Sequence, residues 1–263
     1  MHHPRPVLAI DGAYGEGGGQ LLRTAVALAA VTRRSIVIDN IRAGRPQPGL
    51  AAQHRTAIAA AAALCDAEVG GLALRSRSLT FTPGTLRGGS HRFDIGTAGS
   101  VTLVLHALLP VLVACGEPAD VTLRGGTDVR AAPPLDYFAH VTLPLLARMG
   151  IDARLAVRRR GYFPRGGGQV AQRGVRAETL GSAVASELTR DLGAGVCLDV
   201  HAGDQIPVYL ALAGSGSFST REVTRHARTA MWLIEQFLPV RFECTAEGPR
   251  IRVRVVPTGA ASR

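Results

Sequence analysis

The same order of helix-like and strand-like patterns recurs three times along this chain, and that recurrence limits the fold more than any other feature of the sequence. The first repeat, about 6–84, has a helical pattern over 19–31, a strand SIVIDNI at 35–41, a second helix over 50–64, and strand-like runs near 67–74 and 79–82. The second, about 90–175, has a helix at 98–115, the strand DVTL, a helix at 135–149, then DARLAVRR and a run beginning GGGQVAQ. The third, about 176–257, has GDQIPVYLALAG, the short GSFST, a helix over 223–237, and the strands VRFECTA and IRVRVVP. Each repeat reads as α-β-α-β-β. Two helices on one face of a small sheet bury the apolar faces of both. The expectation is therefore an α/β (α+β) chain, a single domain over 1–263 whose three repeats surround a pseudo-threefold axis. An extra helix over 178–193 joins the second repeat to the third, and 258–263 reads as a flexible tail. The loops RAGRPQPGL, GGTDVRAAPPL and FSTREVTRH are equivalent in the rhythm, so such an axis would bring them to one site.

With 263 residues, 46% of them hydrophobic and 19% charged, the chain has the composition of a soluble globular protein with a substantial core. Its net charge of +10 comes entirely from arginine, since all 30 basic residues are Arg and none is Lys. Genome composition bias accounts for most of that absence. Whatever its origin, it removes lysine nucleophiles from consideration, while arginine forks favour phosphate-bearing partners. Cys65, Cys115, Cys197 and Cys244 form no CxxC pair and read as buried thiols of a reducing cytoplasm. MHHPRPVLAID lacks the apolar core of a signal peptide. The longest apolar stretch, 101–115, is too short to span a bilayer and reads as a core helix.

The stretch DGAYGEGGGQLLRTA, 11–25, runs from glycines into a helical pattern. This is the form of a phosphate cradle, but without the lysine of a P-loop. Glu16 inside it would repel phosphate unless a divalent cation lay between them, so it reads either as a metal ligand or as a turn residue. In TREVTRHARTAMWLIEQF, residues Val223, Ala227, Ala230, Ile234 and Phe237 recur at helical spacing, with His226 at the edge of that stripe. The helix start reads as a capping box of Ser219 with Glu222, or as a start at Thr224. The positive end of the helix dipole disfavours imidazolium and leaves a neutral, nucleophilic ring. By position alone, the favoured reading of His226 is a half-buried histidine at a helix edge. Asp204 in HAGDQ reads as an N-cap or as an acceptor for a nucleoside. Arg42 and Arg45 flank a Gly/Pro turn before a helix and suit phosphates, or solvent. The run RRRGYFPRGGG, 158–168, joins charge to Tyr162 and Phe163. It reads as a hairpin that grips a nucleic-acid strand, or as a solvated one with one aromatic side buried.

Together these segments resemble the RNA 3′-terminal phosphate cyclase family over nearly the whole chain. The matching stretches are DGAYGEGGGQLLR, IRAGRPQPGLAAQH, FDIGTAGSVTLVL, GGTDVRAAPPLDY, PRGGGQV, GDQIPVYLALAG, and TRHARTA followed by EQFLPVRF, in the family's order. The resemblance implies ATP-dependent conversion of an RNA 3′-phosphate to a 2′,3′-cyclic phosphate through enzyme-AMP and RNA-adenylate intermediates. It implies His226 as the catalytic nucleophile. Glu16, Gln20, Pro134, His201, Asp204 and Gln205 would hold the nucleotide, with Pro134 and His201 flanking the adenine. Arg23, Arg42, Arg45, Gln53 and His54 would line phosphates and RNA, and Glu16 would ligate a divalent metal, Mg or Mn. The implied partners are ATP and RNA with a 3′-phosphate end, with no membrane, for a cytoplasmic monomer or homodimer. His201 stands where the family commonly has Tyr, and the family's usual small insert domain is absent near 171–177. The alternative is a non-catalytic RNA-binding scaffold in RNA processing, whose relatives lack the histidine. An enolpyruvyl-transfer type of enzyme, which also binds phosphate through arginines, would form no covalent nucleotide.

Overall fold

A computed structural model describes residues 6–171 and 195–258. The first sheet is built from β1 (Leu8–Asp11), β2 (Ile36–Asp39), β3 (Glu68–Gly70) and β4 (Leu79–Thr82), in the order β1-β2-β4-β3. β1 and β2 run parallel with Leu8 opposite Ile36, and the other pairings are antiparallel. Between them lie α1 (Gly19–Thr32) and α2 (Ala52–Cys65), each ended by a residue in the left-handed region, Arg33 and Asp66.

The second sheet repeats the plan. β5 (Gly89–Asp94), β6 (Ala119–Gly125), β7 (Ala156–Arg159) and β8 (Gly168–Ala171) take the order β5-β6-β8-β7, again with the first pair parallel. Its first helix, α3 (Val101–Cys115), is capped by the Ser100 hydroxyl, which accepts from Leu103 N, and ends at Gly116 with φ of 70°. α3 packs against α1 and α2 and buries Val101, Val104, Leu105, Leu108 and Val111, as a core helix should. The third sheet has the order β10-β11-β9, from β9 (Gly216–Thr220), β10 (Val240–Glu247) and β11 (Arg250–Pro257). All three sheets thus share one connectivity in their last three strands, in a mixed α/β (α+β) chain.

Contacts divide the described residues into a larger lobe, 6–13 and 17–171, and a smaller one, Tyr14–Glu16 with 195–258. No helix of the described residues is long and apolar enough to cross a membrane.

The structure corrects the sequence reading in several places. The first two repeats open with a strand, β1 and β5, that the periodicity misses. β1 buries Ile10 alone and β5 is fully buried nowhere, so neither carries a strong alternation. The helix expected over 135–149 is broken into α4 (Leu135–Tyr137), a π-helical stretch Phe138–Thr142, and α5 (Leu143–Arg148). Pro144 has no N–H for the carbonyl of His140, and the Leu143 N–H instead donates to Phe138, five residues back. In the third repeat the first helix starts earlier than GDQ and is split by Pro207 into α6 (Val200–Gln205) and α7 (Pro207–Ala213). Of the cysteines only Cys65 is buried. Cys197 and Cys244 are exposed, because they lie on edge and loop positions rather than on core faces. The expected joining helix, most of the segment 171–177 and the tail after 258 lie outside the described residues.

Candidate active site

The helix that carries His226, α8 (Arg225–Phe237), begins one residue after Thr224. Thr224 is the N-cap, and its hydroxyl accepts from Ala227 N at 3.0 Å. The Ser219–Glu222 capping box does not form, since Ser219 is on β9 and bonds to Cys197. The Thr224 hydroxyl donates in turn to an Oδ1 of Asp204. Asp204 is therefore no N-cap. It lies inside α6, and Asp199 caps that helix, accepting from His201 N at 2.8 Å and Ala202 N at 2.9 Å. Burial pushes the Asp204 carboxyl up, against the opposing pull of the Thr224 hydrogen bond and of the His226 and His201 charges. His201 is exposed and Gln205 half-buried beside it.

His226 occupies the first turn of α8, half exposed, with Nδ1 3.4 Å from Glu16 Oε1, while the Glu16 side chain is only 9% exposed. A carboxylate at that place accepts, so Nδ1 carries a proton, and when the ring holds only that one the lone pair sits on Nε2. The glycine loop reaches this position by running along α8. Tyr14 stacks on Trp232, with centroids 3.7 Å apart, and Glu16 meets His226 two turns earlier. Gly15 lies between them at φ of +64°, where an added Cβ would fall on the Thr229 hydroxyl. A cleft of about 410 Å³ opens here, lined by Tyr14, Gly15, Arg225, Arg228 and Thr229. Arg225 and Arg228 are exposed and bracket His226 at helical spacing. Sequence reasoning missed both, although their places on either side of the histidine in TRHART were available as a signal.

A second polar cluster lies in the larger lobe, where α1 and α2 begin. His54 is buried, and its Nδ1 accepts from Ala51 N at 3.2 Å, which caps α2 and leaves the proton on Nε2. An added Cβ on Gly19 would fall on that Nε2 and would lie 3.0 Å from Arg23 Nη1. Burial, with Arg23 and Arg42 adding to it, pushes His54 down to about 3, so the ring is neutral. Gln53 Oε1 accepts from Ser100 N at 3.0 Å, tying α2 to the cap of α3. Gln20 and Arg23 lie half-buried on the first two turns of α1. Arg42 is a loop-building residue here. Its Nη1 donates to the carbonyls of Gln47 at 2.9 Å and Gly49 at 2.8 Å, and burial and Arg45 lower its pKa. Arg45 stays exposed on the same loop, and Pro134 is exposed at the N-cap of α4.

Among the described residues no three His, Cys, Asp or Glu side chains group so as to hold a metal by themselves. Glu16 offers one carboxylate. A magnesium-like ion fits only where phosphate oxygens and water complete its shell, which is how such ions ordinarily sit beside nucleotides.

Compared with known proteins, residues 14–244 match the family described as RNA 3′-terminal phosphate cyclase. The chain belongs to that family. Among its relatives is the RNA 3′-terminal phosphate cyclase of Nitrosospira multiformis, 43% identical with 94% of this chain and 96% of the relative covered. That alignment spans 339 positions, more than the 263 residues present here, so the relative carries residues with no counterpart in this chain. The cyclase of Archaeoglobus fulgidus is 36% identical, covering 90% of this chain and 98% of its own length. That of Methanosarcina mazei is 34% identical over 90% and 96%. Within this cyclase family the match begins at Tyr14, the first loop residue on α8, and it includes Glu16, Asp204 and His226.

Proposed function

We propose that the protein uses ATP to convert the 3′-phosphate of an RNA into a 2′,3′-cyclic phosphate through a covalent histidyl-AMP. The observation that carries this reading is the Glu16 carboxylate 3.4 Å from Nδ1 of His226. It holds the tautomer in which Nε2 can attack. Nε2 attacks the α-phosphorus of ATP, the bond to the bridging oxygen of pyrophosphate breaks, and a phosphoramidate forms. Arg225 and Arg228 are placed to meet the negative charge beside His226. Asp204, through Thr224, holds the first turn of α8 in place. His201 and Gln205, on the same helix as Asp204, take the nucleoside.

An oxygen of the RNA 3′-phosphate next attacks the phosphorus of the histidyl-AMP and the P–N bond breaks. The phosphate monoester thereby gains AMP as a leaving group. The neighbouring 2′-OH then attacks that activated phosphate, loses its proton, closes the ring and expels AMP. A divalent ion ligated by Glu16, when bound, would neutralise phosphate charge. The polar cluster of Arg23, Gln53 and His54 suits a phosphate oxygen, because His54 presents an N–H without a positive charge of its own. The scaffold reading is disfavoured by His226 and Glu16 lying together in one lobe.

Incubation with α-labelled ATP and Mg tests the reading. Label should stay on the denatured protein, be lost in acid as a phosphoramidate is, and be absent from His226→Ala. A folded wild-type protein, free of pre-bound AMP, that takes up no label would overturn it.

A further inference from the structure

The hairpin of β7 and β8 lies in the larger lobe and takes no part in the chemistry above. Its tip turns two aromatic rings to solvent, Tyr162 at 56% and Phe163 at 85% exposure. Residues 156–168 contain four arginines and no acidic residue. Two of these arginines build the hairpin. Arg160 donates to Asp128 at 3.2 Å and also to Asp136, while Arg159 donates Nε and Nη2 to the Gly167 carbonyl at 3.1 and 2.7 Å. Backbone bonds from Thr127 N to the Gly161 carbonyl, 2.8 Å, and from Gly166 N to the Tyr162 carbonyl, 2.7 Å, close the turn. The rings therefore stand on a braced base. The other two, Arg158 and Arg165, are exposed and hold no ion pair among the described residues.

The inner edge of the hairpin is pressed on the loop before α3. An added Cβ at Gly166, at φ of +65°, would meet the Thr97 carbonyl at 2.7 Å and Ala98 Cα at 2.8 Å. Two residues further on, Ser100 N donates to Gln53, the neighbour of His54. The hairpin thus adjoins the polar cluster suited to phosphate, within the same lobe. Exposed rings flanked by unpaired cations, on a hairpin that carries no acidic residue of its own, match a single strand that offers base faces and phosphates together. A protein surface would have to supply that pairing of planar faces with repeating negative charge by coincidence.

We propose that the tip holds the nucleotides immediately upstream of an RNA 3′-phosphate, with bases stacked on Phe163 and Tyr162 and phosphates paired with Arg158 and Arg165. This rests on the reading that RNA with a 3′-phosphate is the substrate.

The test is fluorescence anisotropy with a labelled decameric RNA bearing a 3′-phosphate, with self-labelling by α-labelled ATP run alongside as an RNA-independent check. Phe163→Ala should bind the decamer about tenfold more weakly, as expected for one lost stack. Phe163→Trp should bind as wild type does. The double change Arg158→Ala, Arg165→Ala should reduce the slope of log affinity against log salt by roughly 0.7 per arginine. Turnover of a nucleoside 3′-phosphate, which has no upstream nucleotide, should be the same in wild type and Phe163→Ala. Wild-type affinity for the decamer in a Phe163→Ala protein that still self-labels would overturn the proposal. A wild-type protein that binds RNA through these residues but never takes up AMP would sink the adenylyl reading and leave the hairpin assignment supported.

Discussion

The two nitrogens of the His226 ring differ because one faces a carboxylate that almost no water reaches. Replacing that acceptor with an amide, Glu16→Gln, removes the charge that holds Nδ1–H and lets the ring turn or take its other tautomer. Self-labelling by ATP in a single turnover should fall on the order of a hundredfold or more, by analogy with the loss of an orienting carboxylate in a hydrolase triad. Gly15 sets where Glu16 arrives. In Gly15→Ala the φ of +64° becomes strained and the new methyl meets the Thr229 hydroxyl. Label uptake should drop, and Thr229→Ser, which keeps that hydroxyl, should not rescue it. Of the residues that the resemblance implied for phosphate, Arg42 has its Nη1 on two backbone carbonyls, and no local signal in IRAGRPQPG distinguishes it from the exposed Arg45.

At the scale of elements, α8 is the best-read segment of the chain. Ala227, Ala230, Ile234 and Phe237 are all buried, as their spacing requires, while Val223 is buried ahead of the helix. The start of α8 was less legible, because STREVT offers two hydroxyl caps and only packing chooses between them. Thr224→Ala removes the N-cap and one hydrogen bond to the buried Asp204 carboxyl. The first loss alone costs about 1 kcal/mol, so the urea midpoint should fall, whereas Thr224→Ser should restore it. The π-helical turn before α5 was illegible for a different reason. Proline at the second position of a helix is ordinary, and only the continuous helix on its N-terminal side makes Pro144 a break. The leading strands β1 and β5 are short and half exposed. They are specified by parallel pairing to β2 and β6 rather than by any alternation of their own.

For the molecule as a whole, two buried histidines make stability sensitive to acid. Burial takes both His54 and His106 down to about 3 from an ordinary 6.5, so the folded chain keeps them neutral while the unfolded chain protonates them between those values. The unfolded state therefore binds more protons in that window, and stability falls as pH drops from 6.5 toward 3. Each histidine contributes a slope of about 1.4 kcal/mol per pH unit, which chemical denaturation at a series of pH values would read. His106 Nε2 has no hydrogen-bond partner among the described residues, and its ring rests edge-on against Phe138. His106→Leu should leave stability at pH 7 unchanged or raised and remove one histidine's share of the acid slope. With a net charge of +10 carried by arginine alone, RNA binding should weaken steeply as salt rises.

The repeat rhythm, the amphipathic register of α8, the core character of 101–115 and the arginine-only charge all follow from the order of residues, because each depends on neighbours within a few turns or strands. The meeting of Glu16 with His226, the tie from Asp204 to Thr224 and the bracing of the hairpin by Arg160 were decided only in the tertiary structure. Each joins side chains that are remote along the chain. Which of several chemically equivalent arginines or carboxylates meets its partner is set by how helices and sheets pack, and no local periodicity encodes that.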